Sequence, residues 1–220
     1  MQSIQLNWTL NGFDKFSLIT IPSMGDGHCF FHSLLNAFFL PYRTGLNDGY
    51  AVTKTELVTK FRSELADKLG QPIDPLNPKS KIYWEVLGQG NLALLAKDDP
   101  SYSLKSLQNR LRSSACVGNE FFEMISDVIN HDIYLLDSTT QDLYWMGDEY
   151  NIIYKGRPSI VLVYNGIDHY DLIGLQDGDK INTRFKLNND FIAFLRKRQL
   201  KKLVPDEGGP KSIVHDKLLA

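Results

Sequence analysis

The sequence predicts an α+β fold, a helical half packed on a small mixed β-sheet, and three observations carry that prediction. Apolar residues recur at helical spacing in most segments as far as Asn130. At Asp132 the period changes to short β-branched or aromatic runs separated by polar or Gly-containing turns, and a last helical pattern follows from Asp190. The chain has 220 residues, 43% hydrophobic and 23% charged, which suits a single domain over residues 1–203 with a flexible tail over 204–220.

The elements follow in order. Residues 16–21 are β-branched and stop at Pro22, so they read as a strand running into the loop Ser23-Met24-Gly25-Asp26-Gly27. Residues 29–40 place Phe30, Phe31, Leu34, Leu35, Phe38 and Phe39 at helical spacing, too densely for a surface helix, so a buried helix is expected. Thr53 and Glu56 fit a capping box ahead of Leu57, Phe61, Leu65 and Leu69, and Gly70 is the stop signal. Helices are also expected over 83–96, where Gly88 and Gly90 weaken the pattern, over 104–115 and over 120–130. The last of these puts Phe121, Ile125, Val128 and Ile129 on one stripe. Strands are expected over 133–136, 143–146, 152–154, 160–164 and 170–173. The final helix, 190–202, shows a basic face of Arg196, Lys197, Arg198, Lys201 and Lys202, as a solvated helix C-terminus favours.

Composition excludes several classes. A formal net charge of -2 argues against a nucleic-acid binder, which usually carries a basic excess. No apolar stretch approaches the roughly 20 residues that cross a bilayer, so membrane insertion is not expected. Neither does the N-terminus show a basic segment followed by an apolar one, so no secretory signal is read. The two cysteines, Cys29 and Cys116, lie in unlike contexts and give no disulfide framework, which suits a reducing, cytosolic or nuclear compartment.

The chemistry sits in two segments. In Gly25-Asp26-Gly27-His28-Cys29-Phe30-Phe31-His32-Ser33, a Gly-rich turn delivers a cysteine to the first turn of an apolar helix. Unpaired N–H groups and the positive dipole end are expected there to lower the thiol pKa, and the same amides can face an oxyanion. In Tyr164-Asn165-Gly166-Ile167-Asp168-His169-Tyr170-Asp171, His169 and Asp171 stand two apart on a strand and share a face, so the carboxylate can hold the imidazole. A base oriented by an acid is what nucleophilic catalysis needs. His32, three residues after Cys29 on the same helix face, is a rival: it could be the base, or one ligand of a metal with Cys29. A polar residue at the helix edge is the plainer expectation for it. His131 is expected to act as a helix-end cap, and Asn119 to cap the helix that follows it.

The two segments together resemble the signatures of the ovarian-tumour (OTU) family of cysteine proteases, in which an Asp-Gly-x-Cys turn enters the central helix and a late His-aromatic-acid segment closes the site. The likeness covers about residues 17–175. It implies Cys29 as nucleophile, His169 as general base, Asp171 as the orienting acid and Asp26 as the residue that shapes the oxyanion loop. Gly27, His28 and the partial match Gly118-Asn119-Glu120 are implied as substrate-binding, with Cys116 and Val117 where the family has an aromatic. His28 and His32 also depart from the family, which more often has Asn and Arg there. The function implied is a thiol-dependent isopeptidase that releases ubiquitin, or a ubiquitin-like modifier, from Lys of a target protein, with no cofactor and no metal. Ubiquitin or polyubiquitin and ubiquitinated proteins would be its partners, the chain a monomer, and its place the cytoplasm, or a host's cytosol if it is a viral or bacterial effector. The alternatives are a catalytically weak ubiquitin-binding module and a cysteine protease of ordinary peptide bonds.

Overall fold

The structure, a computed structural model, describes residues 3–144 and 154–203. The expected tail, His215, and most of the strands expected over 143–146 and 152–154 lie outside the described residues. The fold is α+β. Strands β1 (Ile4–Gln5), β2 (Leu18–Ile21), β5 (Asp132–Asp137), β6 (Asp142–Leu143), β7 (Ser159–Tyr164), β8 (Tyr170–Asp177) and β9 (Lys180–Asn182) form one mixed sheet. Its order is β1-β2-β8-β7-β5-β6, with β9 also paired to β8, and β5 and β7 run parallel while the other pairs are antiparallel. A separate hairpin joins β3 (Leu46–Asn47) to β4 (Tyr50–Ala51) across Asp48 and Gly49, both at positive φ.

Period-2 alternation splits the central strands between two cores. Ile133, Leu135, Ile160, Leu162 and Leu172 face a core shared with α1 (Cys29–Phe38), α3 (Lys54–Leu69), α6 (Leu104–Arg112) and α7 (Phe122–Ile129). Tyr134, Leu136, Val161, Val163 and Ile173 face the other, closed by Trp8, Phe13 and by Phe191, Ile192 and Leu195 of the last helix, α8 (Asp190–Leu203). The sheet is therefore covered on both sides, which explains why its strands read as near-continuous apolar runs.

Helix α1 buries eight of its ten residues, so it is a core helix rather than a surface one. Phe30, Phe31, Leu34 and Leu35 together contribute on the order of 8 kcal/mol by burial, an upper figure. Phe30 stacks on Phe122 of α7 at 5.0 Å between ring centres and meets Tyr170 of β8 edge-on at 5.4 Å, which ties the helix to the strand that begins beside His169. The capping box of α3 is present: Glu56 N–H donates to Thr53 Oγ1 at 3.2 Å and Thr53 N–H to Glu56 Oε2 at 2.8 Å.

Several expectations need correction. Residues 83–96 do not form one helix: α4 (Tyr83–Val86) and α5 (Asn91–Leu95) are separated by a turn in which Gly88, Gln89 and Gly90 all have positive φ. The helix expected from Glu120 starts at Phe122 after a 3-10 turn over Asn119–Phe121, so Asn119 is not its N-cap, and Val128 is exposed rather than on the buried stripe. The C-cap position of that helix is held by Asn130 in the left-handed region, and the buried His131 does cap the helix end as expected, through Nδ1 to the Ile129 carbonyl at 2.6 Å. On α8, Arg198 leaves the basic face to pair with Asp142 at 2.7 Å.

Candidate active site

The cysteine turn is built from the side chains around it. Asp26 Oδ1 accepts the His28 N–H at 3.0 Å, which curls residues 26–28 into a tight turn. Gly27 sits at φ 82, and a Cβ there would overlap the Ser114 carbonyl oxygen, so this position requires glycine on two counts. Asp26 Oδ2 meets His32 Nε2 at 3.0 Å, and His32 Nδ1 meets the Tyr42 hydroxyl at 2.8 Å. Burial works upward on the Asp26 carboxyl, but the bonds from His32 and the His28 amide hold it below the usual carboxylate value.

His32 is therefore not at the helix edge, as the sequence led us to expect: it is fully buried, because α1 is enclosed on nearly every side. Both of its ring nitrogens are engaged away from Cys29, which removes the geometry for a rival base. Among the described residues no three His, Cys, Asp or Glu side chains cluster as metal ligands.

His28 points inward as well. Its Nδ1 lies 3.0 Å from Nη1 of Arg62, and since a guanidinium only donates, Nδ1 is the acceptor and the imidazole is neutral. Burial, and then the Arg62 charge, push its pKa below the ordinary histidine value. Arg62 is 1% exposed, stacks on Phe31 at 4.5 Å, and donates to the carbonyls of Leu111 at 2.7 Å, Arg110 at 3.0 Å and Ala115 at 2.8 Å. One guanidinium thus fixes the cysteine turn and the strap that follows α6.

The histidine loop is tied by Asn165. Its Oδ1 accepts the N–H groups of Ile167, Asp168 and His169 at 2.9, 3.0 and 3.0 Å, and its own N–H donates to the His169 carbonyl at 3.0 Å. Gly166 takes φ 87 between them, where a side chain would run into Thr139. His169 Nε2 then lies 3.0 Å from Asp171 Oδ1, which also accepts the Ser23 N–H at 2.8 Å. The carboxylate selects the tautomer with hydrogen on Nε2 and leaves the Nδ1 lone pair for a proton. Ser23 Oγ, 3.3 Å from His169 Nε2, donates to the Tyr170 carbonyl at 2.7 Å.

The two segments meet. Ser33, one turn along α1 from Cys29, donates to the Tyr170 carbonyl at 3.1 Å, and the Cys29 thiol donates to the Asp168 carbonyl at 3.6 Å. Cys29 is buried in the wall of a small crevice lined also by Gly27, Arg62, Cys116, Val117 and Tyr170. Its thiol departs from the sequence expectation: burial pushes the pKa above the ordinary thiol value, outweighing the N–H groups of Tyr170, Phe30 and Cys29 that favour the thiolate. Desolvation of a thiolate on an enclosed helix exceeds what a few helix amides return.

Of the implied substrate-binding residues, Gly27 lines the crevice, Gly118 follows its wall residue Val117, and Asn119 opens the 3-10 turn. Glu120 is engaged by Arg110 at 2.5 Å and is mostly buried, so its carboxylate holds the strap rather than facing outward. Arg62, Tyr42, Ser23 and Asn165 belong to the site and were missed from the sequence. Only Asn165 left a signal, as the first residue of an Asn-Gly turn.

No protein-family model and no curated protein matches the sequence. Solved structures do. An OTU domain in complex with ubiquitin aligns with 90% of this chain and 90% of its own at 16% identity and a TM-score of 0.53. Looser likenesses include an OTU deubiquitinase from Wolbachia pipientis wMel, at 13% identity over 90% of this chain and 100% of that one with a TM-score of 0.42. The Hazara virus OTU bound to ubiquitin matches at 17% identity over 80% and 89% with a TM-score of 0.38. By its overall architecture, then, this chain has the fold of an OTU domain.

Proposed function

We propose that the chain is a thiol-dependent isopeptidase that hydrolyses the bond between the C-terminal glycine of ubiquitin and a lysine of a target. The observation that carries this reading is the Cys29, His169 and Asp171 arrangement at the meeting of a helix start and a strand start, on a fold shared with an OTU domain that binds ubiquitin. His169 Nδ1 takes the thiol proton while Asp171 holds Nε2 and steadies the imidazolium. The thiolate attacks the glycine carbonyl carbon, and the oxyanion turns toward the amides of the Asp26–Cys29 turn. His169 returns the proton to the departing lysine amine, and water, deprotonated by the same ring, hydrolyses the thioester. Because burial keeps the thiol protonated at rest, proton transfer to His169 is the activating step. We place the protein, as such an enzyme, in the cytoplasm, acting as a monomer on ubiquitinated proteins.

The test is incubation with ubiquitin bearing a C-terminal electrophile, read by intact mass. The wild type is expected to form one covalent adduct, Cys29→Ala none, and His169→Ala an adduct slowed at least about 100-fold. An adduct at full rate in His169→Ala removes His169 from the reaction. No adduct with the wild type removes ubiquitin as substrate.

A further inference from the structure

The chain contains two cysteines, far apart in sequence, and the fold brings both to the walls of one crevice. Cys29 is buried and Cys116 is exposed. Their proximity is fixed by Arg62. Its Nη1 is bonded to His28, the residue before Cys29, at 3.0 Å, and its Nη2 to the carbonyl of Ala115, the residue before Cys116, at 2.8 Å. Gly27 lies directly beneath the Ser114 carbonyl, so the two backbones touch on the same side. Arg62 itself lines the crevice together with both cysteines. The segment that carries Cys116, between the end of α6 at Arg112 and the 3-10 turn at Asn119, has no regular structure.

We propose that Cys29 and Cys116 form a reversible disulfide, with Cys116 as the resolving thiol for a Cys29 oxidised by a hydroperoxide. This rests on the reading of Cys29 as the reactive thiol of the site. The Cys29 sulfur attacks one peroxide oxygen, the O–O bond breaks, and Cys29 becomes a sulfenic acid while hydroxide departs and is protonated to water. The Cys116 thiolate then attacks that sulfur; the S–S bond forms, the S–O bond breaks, and the second hydroxide leaves as water. Two thiols and one hydrogen peroxide thus give one disulfide and two waters, the thiols supplying the two electrons. A dithiol reductant reverses the step by exchange. The bond requires the two Cα atoms within about 7 Å. The disulfide closes the crevice over the nucleophile and keeps Cys29 from the irreversible sulfinic acid.

The experiment treats the reduced full chain with hydrogen peroxide at neutral pH without ubiquitin, blocks the remaining thiols, and reads intact mass and non-reducing peptide maps. The expected product is a monomer lighter by two hydrogens, with the Cys29 and Cys116 peptides linked and the mass restored by dithiothreitol. In Cys116→Ser, Cys29 should instead gain two or three oxygens that dithiothreitol does not remove. The proposal is overturned if wild type and Cys116→Ser accumulate the sulfinic acid at equal rates, if the only disulfide joins two chains, or if neither thiol changes mass. The ubiquitin electrophile is scored separately on reduced protein. A chain that forms the disulfide but not the adduct keeps the redox pair and loses the isopeptidase reading, and the reverse result does the opposite.

Discussion

Replacing Arg62 with leucine removes the group that holds the cysteine turn to the strap, and its cost follows from the bonds it makes. The carbonyls of Leu111 and Ala115 lose the Arg62 donor, at about 1–3 kcal/mol for each buried acceptor left bare, while that of Arg110 still accepts from Ser113. Against this, the variant no longer desolvates a charge: burial pushes the Arg62 pKa down to about 10, so the wild type carries a positive charge inside the protein at neutral pH. The net loss expected from breaking such a buried cluster is about 3–5 kcal/mol. In urea, with a slope of about 2–3 kcal/mol per molar, the midpoint should fall by roughly 1.5 M. Arg62→Lys keeps the charge but cannot span the three carbonyls and His28 at once, so it should recover less than half of that loss. Equilibrium unfolding followed by circular dichroism measures both variants. A leucine variant whose midpoint lies within about 0.3 M of the wild type, at unchanged slope, would refute the account of Arg62 as the clamp.

Two further predictions bear on the site. Because burial pushes the Cys29 thiol above the ordinary thiol value, its alkylation by iodoacetamide should keep climbing as pH rises past about 8.5, with no plateau near neutrality; a plateau below pH 7 in the wild type would mean a stable thiolate at rest. Asn165→Ala should lower turnover of a ubiquitin substrate by about 10-fold or more through a displaced His169, while costing only about 1–2 kcal/mol of stability. Asn165→Asp, which keeps the acceptor oxygen, should restore most of that turnover, and equal activity in the alanine variant would dismiss the knot as a positioning device.

Features that depend on neighbours in sequence were legible. The capping box at Thr53, the apolar density of α1 and the same-face spacing of His169 and Asp171 are all set within a few residues, and local rules read them. The features that were missed depend on tertiary partners. Arg62 sits on a helix whose pattern gives a charged residue a solvent face by default; the carbonyls of the last turn of α6 and of Ala115 beyond it give it a reason to be inside. His32 looked like an edge residue because its partners, Asp26 and Tyr42, lie on different elements. The break at Gly88, Gln89 and Gly90 was half visible, since glycine weakens a helix without saying whether the chain will leave it. For the Cys29 thiol the sequence supplied the helix start, which lowers the pKa, but not the walls, which raise it.

That last disagreement bears on how the proposed reaction is controlled. Were the helix start dominant, Cys29 would be a standing thiolate and His169 would matter chiefly for the leaving amine. With desolvation dominant, the resting thiol is neutral and donates to the Asp168 carbonyl, so attack waits on transfer of its proton to His169. Asp171 and Asn165 then act on the rate-setting event, because they fix the ring that must receive that proton. Substrate entering the crevice would displace water and bring a carbonyl dipole to the amides of the cysteine turn, which strengthens each electrostatic contact there. On this reasoning the nucleophile reacts only as His169 takes its proton, and the network that keeps the turn in shape, Asp26 to His32 to Tyr42 on one side and His28 to Arg62 on the other, sets how much of the helix start's positive end is available when it does.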